Sequence, residues 1–362
     1  MGYLKNIKLS NFRNFENIDF EFSRNCNVFY GENGCGKTNL LEAISLFSIG
    51  RGIRKDKNFN FIKKNTDNFY NFAEFINEKI EYKLKVVSEL KNNKHKKKIY
   101  LNDENSLEIN KKIQSLIIFL SYLPENERLF VSSPTNRRNL FDHFISSNNV
   151  KYNTLINFYK KNIYERNNIL NDFNKDSSWL EKIEENIAKS GIEIYEQRKK
   201  QIDIFYENLK SINKFFKIPF SINIQINDTF YNEKINNEFY RNSLIQTREI
   251  DKIVGGSKNG PHKSDLTFYV ENNYPASQLS TGQQKTLVLL LYFSQCYYLI
   301  NNCKKKPILL LDEINSHLDD TNINLLLKIV NHFDIQVFMT GTKKDLFSFL
   351  STKVNFYNIS KK

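Results

Sequence analysis

At 362 residues, 40% hydrophobic and 26% charged, the chain is too long for a disulfide-stapled miniprotein and too apolar for wholesale disorder. It also exceeds what one compact core usually holds, so two lobes are expected. Lys and Arg outnumber Asp and Glu by 53 to 40, a net +13 that suits a polyanion such as nucleic acid, although an AT-rich coding bias toward Lys, Asn, Ile, Phe and Tyr is an equal source of the excess.

The stretch Tyr3 to Arg13 alternates in places and precedes Ile18 to Phe22 and Asn27 to Tyr30, which predicts three short strands before a turn, with a helix following from Lys37 through Phe47. Lys79 to Leu90 alternates with charge and faces Ile99-Tyr-Leu across a basic run, a hairpin pattern that places Lys94, Lys96 and Lys97 at a polar tip. From Tyr152 to about Phe216 apolar residues recur at threes and fours, which predicts a helical arm too short for a rod-forming coiled coil. A strand is expected over Ile218 to Gln225 and a loop at Gly255 to Pro261. Ile308-Leu-Leu-Leu and Ile335 to Met339 then read as buried parallel strands. The expected division is 1–150, a helical lobe at 151–250, and 251–362.

The four cysteines, Cys26, Cys35, Cys296 and Cys303, form no C-x-x-C pair and read as reduced thiols. No signal peptide or myristoylation site is evident at the N-terminus, and the longest apolar run, Thr286 to Ile300, is shorter than the ~18 residues of a membrane span. A cytoplasmic protein without membrane contact is expected.

Gly31, Glu32, Asn33, Gly34, Cys35, Gly36, Lys37 and Thr38 match the phosphate loop G-x-x-x-x-G-K-[ST], between a strand and a helix as that motif requires. Backbone amides would close around phosphate oxygens, Lys37 would meet the β- and γ-phosphates, and Thr38 would ligate magnesium. Ile308-Leu-Leu-Leu ends in Asp312 and Glu313. A carboxylate at the carboxyl end of such a strand lies beside the loop, where Asp312 reaches the magnesium shell and Glu313 polarises the attacking water. Leu279 to Gln284 opens an apolar helix that Ser280 is placed to cap.

Ser280, Thr281, Gly282 and Gln283 resemble the signature motif of the ATP-binding-cassette superfamily, with Thr281 in place of one glycine. Asn11-Phe-Arg-Asn-Phe, the residues from Thr38 to Phe47, Gly50-Arg-Gly-Ile-Arg, Pro124 to Asp142, Gly260-Pro-His-Lys-Ser-Asp-Leu and Asp312 to Asp319 are similar to stretches of the RecF recombination proteins, over nearly the whole chain. Ser132, Asn322 and Lys263 depart from the family's usual Gly, basic residue and Arg.

The resemblance implies an α/β fold: an ABC-type P-loop ATPase head with a mixed and parallel sheet core and a smaller, mainly helical lobe. It implies ATP and Mg as cofactors and an ATP-dependent homodimer, with the signature residues reaching the nucleotide of the other subunit. Arg13 and Asn39 would join the nucleotide contacts, and Thr340 would take the switch position where transporter cassettes carry His. Implied partners are duplex DNA and single/double-strand junctions, RecR, RecO and, indirectly, RecA. Arg137 and Arg138 read as solvated helix arginines, as residues docking the nucleotide lobe or as DNA phosphate contacts, and the Lys94, Lys96 and Lys97 tip either as a solvated loop or as a contact to DNA backbone. Another ABC-type system, in transport or phage defence, is the alternative. Transport is disfavoured by Thr340, and a nuclease by the short chain left after Asp345.

Overall fold

The computed structural model describes residues 2–54, 56–91, 94–172, 177–231, 235–271, 273–314, 320–350 and 354–360. They form two units, Met1–Glu127 with Thr281–Lys362, and Arg128–Ser280.

The first unit opens with β1 (Tyr3–Phe12) and β2 (Phe15–Glu21), an antiparallel pair. Then come β3 (Cys26–Tyr30), α1 (Lys37–Ser45), β4 (Tyr70–Asn77), β5 (Ile80–Lys91), β6 (Lys94–Leu101), α2 (Leu107–Leu116), β7 (Phe119–Tyr122) and α3 (Pro124–Glu127). An antiparallel sheet of order β2-β1-β4-β5-β6 buries one face, where Leu4, Ile7, Leu9, Ala73, Phe75, Leu84 and Val86 share a core with Leu40, Leu41 and Ile44 of α1. The alternation read in β1 is this face; a register irregularity between Leu4 and Asn6 interrupts it.

The basic run expected at a hairpin tip lies inside β6, where Lys96 pairs in register with Glu89 and Lys98 with Val87. The strand accommodates it because Lys98 ion-pairs with Glu89 and the Lys97 ammonium finds backbone carbonyls.

The second unit contains α4 (Pro134–Asn148), α5 (Val150–Asn171), α6 (Ser177–Ile212), β8 (Ile222–Asn227), α7 (Asn237–Gln246), α8 (Arg248–Val254), β9 (Asp265–Val270) and β10 (Tyr274–Pro275). Its limits differ from the expected 151–250 because packing recruits both flanks. Phe141 and Phe144 of α4 lie edge-on to Phe205 of α6, Phe141 also meets Phe268 of β9, and Arg137 grips Asp265. Inside, Arg166 bonds Glu184 at 3.0 Å and Asp251 at 2.7 Å, all three side chains buried, and Arg248 supplies the second cation on Glu184, so the two carboxylates are matched by two arginines. The loop Gly255 to Ser264 is pinned by His262, whose Nδ1 lies 2.7 Å from the Tyr159 hydroxyl and whose Nε2 lies 3.0 Å from the Ser257 carbonyl.

The chain then completes the first unit with α9 (Thr281–Asn301), β11 (Ile308–Leu311), α10 (Asp320–Phe333), β12 (Val337–Gly341) and β13 (Val354–Asn358). A fully parallel sheet runs β13-β3-β12-β11-β7. β11 and β12 are buried along their whole length, which is why they read as unbroken apolar runs. Gln336, just before β12, donates to the carbonyls of Leu4 (2.7 Å) and Ser23 (2.9 Å) and accepts from the Leu4 amide (2.8 Å), tying β1 to the parallel sheet. Among the described residues no helix is long and apolar enough to cross a membrane.

Candidate nucleotide site

The parallel strands β3, β11 and β12 end side by side, and the turns at their carboxyl ends make the site. After β3 the chain turns through Gly31 to Gly36 into α1. Gly36 has φ +111°, and a Cβ there would meet the Asn14 amide at 2.6 Å and the Phe15 ring at 2.8 Å, so only glycine lets the β1–β2 turn press on the loop. Asn14 uses that closeness: its Nδ2 donates to the Cys35 carbonyl at 3.0 Å, and its Oδ1 accepts from Asn39 at 2.7 Å. Arg54 in turn donates to Asn39 Oδ1 at 2.9 Å.

The tip residues Glu32, Asn33 and Gly34 are exposed, Cys35 is buried and Gly31 partly so. Lys37 is buried and its ammonium donates to the carbonyls of Gly31 and Glu32, both at 2.8 Å. The loop thus holds its own cation across the concavity where phosphate oxygens would sit.

The second strand end brings the acids. Asp312 follows β11 and donates its amide to the Tyr122 carbonyl of β7 at 2.9 Å. Its Oδ1 accepts from Thr38 Oγ1 at 3.0 Å and from Thr340 Oγ1, at the end of β12, at 2.7 Å. Thr340 accepts the Glu313 amide at 2.8 Å. Glu313 has φ +50°, a left-handed turn that ends the strand and carries its side chain to an exposed position. Thr38 and Asp312 present one hydroxyl and one carboxylate, hard oxygen donors of the kind Mg uses together with nucleotide phosphates.

The helix α9 begins at Thr281, with the exposed Ser280 in the N-cap position and Thr281 and Gln283 exposed in the first turn. The structure therefore brings together Lys37, Thr38, Asp312, Glu313 and Thr340, and presents Ser280 to Gln283 at a helix start.

Arg13 is engaged locally. Its Nε and Nη2 meet Glu42 Oε2 at 2.9 and 2.7 Å, and Nη2 also meets Asp56 at 2.7 Å. Glu42 is fully buried, and burial raises its carboxyl pKa against the pull of Arg13, whereas the hydrogen bond from Arg13 lowers that of Asp56. The neighbouring Asn14, which sequence reasoning passed over, makes the loop contact instead. It stands beside Arg13 in the Asn11 to Phe15 string, the one sequence signal that pointed there.

The candidate DNA residues separate. Lys96 is exposed on β6, and Lys94 lies in the same strand with its side chain outside the described residues. Lys97 is corrected: its Nζ donates to the carbonyls of Leu46 (3.0 Å) and Ser48 (2.9 Å) just beyond α1, and burial pulls its pKa down to about 7. Arg137 is corrected too. Asp265 takes its Nε and Nη2 at 2.8 and 2.9 Å, and the carbonyls of Leu129, Phe130 and Ser132 take Nη1, leaving its fork committed to packing. Arg138 reaches the Ser264 carbonyl and Thr135.

The family model for the RecF/RecN/SMC N-terminal domain matches residues 3–362. The DNA replication and repair protein RecF of Rickettsia typhi is 33% identical over 347 residues, covering 95% of each chain. The chain belongs to the RecF family. The RecF of Rickettsia conorii is 30% identical over 97% of both chains. A solved structure of the recombination mediator protein RecF-ATP superposes at TM-score 0.81 with 27% identity, covering 95% of this chain and 92% of that one. The corresponding RecF-ATPrS structure gives 0.84 with 26% identity, covering 99% and 96%. The Smc head domain of Pyrococcus furiosus shares the fold at 0.55 and 16% identity, covering 100% of this chain and 94% of that one. The α/β architecture is that of an ABC-type P-loop ATPase head.

Proposed function

We propose that the protein is an ATP-driven DNA clamp of recombinational repair and replication restart. The observation that carries this reading is the 3.0 Å bond between Thr38 and Asp312, which brings the hydroxyl of the phosphate loop against a carboxylate 274 residues away, the pair of oxygen donors that would hold Mg. Relatives named as DNA replication and repair proteins, and one solved with ATP, support it.

Two subunits close on two nucleotides. Lys37, Thr38 and Asp312 of one subunit hold the phosphates and Mg, Ser280 to Gln283 of the other reach the γ-phosphate, and Gly31 to Gly36 supply backbone amides. When bound, Mg, held by Thr38 and Asp312, would neutralise phosphate charge. Lys37 must leave the Gly31 and Glu32 carbonyls for the incoming phosphates. Glu313 then accepts the proton of the attacking water, with its backbone fixed by Thr340, and slow, DNA-stimulated hydrolysis reopens the dimer. The closed dimer binds duplex DNA and junctions at single-strand gaps in the cytoplasm, with Lys96 and Lys94 as backbone contacts, and acts with RecR and RecO to promote loading of RecA.

Analytical ultracentrifugation with ATP, ADP or no nucleotide, with labelled duplex DNA added, tests this reading. ATP alone should drive the dimer, Glu313→Gln should trap it, Ser280→Arg and Lys37→Met should abolish it, and DNA binding should follow closure. A protein that stays monomeric with every nucleotide, or binds DNA equally without ATP, refutes the mechanism.

A further inference from the structure

The first turn of α9, which carries the signature residues, is tied by polar contacts to two other elements, α10 through Asn322 and α3 through Glu127. Asn322, in the first turn of α10, is completely buried. Its Oδ1 accepts from the Thr286 hydroxyl at 2.9 Å, and its Nδ2 lies 3.3 Å from the Gly282 carbonyl. Thr286 Oγ1 is also 3.1 Å from that carbonyl. A threonine hydroxyl has one proton, so the arrangement that serves all three groups has Thr286 donating to Asn322 and Asn322 donating to Gly282. On another side of the turn, the Lys285 ammonium, its side chain 7% exposed, pairs with Glu127 at 2.9 Å. Glu127 ends α3, which comes after β7, and β7 pairs with β11 and accepts the Asp312 amide at Tyr122.

Asn322, Thr286 and Lys285 are buried while Gly282 and Glu127 are partly so, and breaking either contact leaves a buried side chain without that partner. A helix held only by its apolar residues slides and rotates at small cost, whereas Gly282 is held at its carbonyl. We infer that Asn322, with Lys285 beside it, is a positioning residue that keeps each subunit's signature turn in register with its own Asp312 and Glu313. The turn presented to the partner's nucleotide therefore moves as one body with the acids that serve the subunit's own nucleotide. This rests on the proposed reading, in which the signature residues act across the dimer.

The role differs from general stabilisation in what it leaves intact. The hydrogen bonds described for Asn322 go to Thr286 and Gly282 of α9, so nucleotide binding to the single subunit should survive its loss while closure and turnover fail. The experiment compares wild type with Asn322→Leu, Asn322→Asp and Thr286→Val. It reads fluorescent ATP-analogue affinity under conditions where the protein is monomeric, the ATP-dependent dimer fraction, kcat and KM, and the melting temperature. Asn322→Asp keeps the acceptor for Thr286 and loses the donor to Gly282, so it probes the Gly282 bond even if Asn322→Leu folds poorly. The expected result is nucleotide affinity within about twofold of wild type, KM little changed, and kcat and dimer fraction down roughly tenfold in both Asn322 variants. Wild-type kcat and dimerisation in folded Asn322→Asp and Thr286→Val overturn the inference alone, as does a loss of nucleotide affinity parallel to kcat. A wild type that neither dimerises nor hydrolyses ATP overturns the functional reading and this inference with it.

Discussion

Thr340 and Asp312 are joined by a 2.7 Å hydrogen bond at the carboxyl ends of adjacent parallel strands, and the same hydroxyl receives the amide of Glu313 at 2.8 Å. One side chain thus fixes the carboxylate expected to hold magnesium and the backbone that aims the carboxylate expected to polarise water. Thr340→Val keeps the volume and removes both bonds. We expect kcat to fall about 10- to 100-fold, from a bond to a charged acceptor, with KM changed far less. Steady-state ATPase kinetics decide it: a rise in KM with kcat intact would make Thr340 a binding residue.

Arg13 neutralises a carboxylate that has no exposure to water, Glu42. Arg13→Ala should therefore cost about 3 kcal/mol of folding stability, read by urea denaturation, because it leaves the buried carboxyl with only Arg54, at 3.8 Å. Glu42→Gln in the same background should recover part of the loss. A variant that is nearly as stable as wild type but binds ATP poorly would place Arg13 at the nucleotide instead.

Arg137 and Lys96 give a contrast between packing and DNA contact. Arg137→Ala should lower the melting temperature of the protein and leave the salt dependence of DNA binding unchanged, because its fork is filled by Asp265 and three carbonyls. Lys96→Glu should do the opposite: no loss of stability, weaker DNA binding, and a shallower slope of log affinity against log salt. Equal salt slopes for wild type and Lys96→Glu would remove β6 from the DNA interface.

His262 gives a pH signature. Burial lowers its pKa from 6.5 to about 4, so between those values the unfolded chain binds a proton that the folded chain refuses. Stability from this group is present above pH 6.5 and is lost as pH falls toward 4, with a limiting slope of about 1.4 kcal/mol per pH unit. Lys263, Arg138 and Arg198 depress it further, while the bond to the Ser257 carbonyl opposes them. His262→Gln should flatten that part of the stability curve relative to wild type in paired denaturation series at pH 7, 6 and 5. Parallel curves would show that the ring takes up its proton equally in the folded and unfolded chains, so that burial does not depress it.

The phosphate loop, the acids after Ile308 to Leu311 and the threonine at 340 were legible because each is a local string whose chemistry comes from what a strand end and a helix start do to backbone groups. The strands themselves were legible from alternation or from unbroken apolar runs. The limits of the second unit were not, since they depend on Arg137 meeting Asp265 and Phe141 meeting Phe268, contacts between residues far apart in sequence. Lys97 misled for a related reason. A lysine in a basic run reads as solvated, and only the fold shows that its ammonium ends on the carbonyls of Leu46 and Ser48. Asn14 stood in the Asn11 to Phe15 string and Asn322 only as a departure from the family's usual basic residue, and being uncharged, neither advertised the hydrogen bonds the fold gives it.

The parallel sheet also sets a schedule for biosynthesis. Cys26 of β3 pairs with Val337 of β12 and with Val354 of β13, and Phe119 of β7 pairs with Ile308 of β11. β3 therefore leaves the ribosome with no neighbour in its sheet and waits for nearly the whole chain, on the order of 15–60 seconds at ordinary elongation rates. The unit Arg128–Ser280, continuous in sequence, is complete within that interval. Two apolar strands exposed during translation are a standing invitation to aggregation, and the yield of folded protein depends on what shelters them until β11, β12 and β13 emerge.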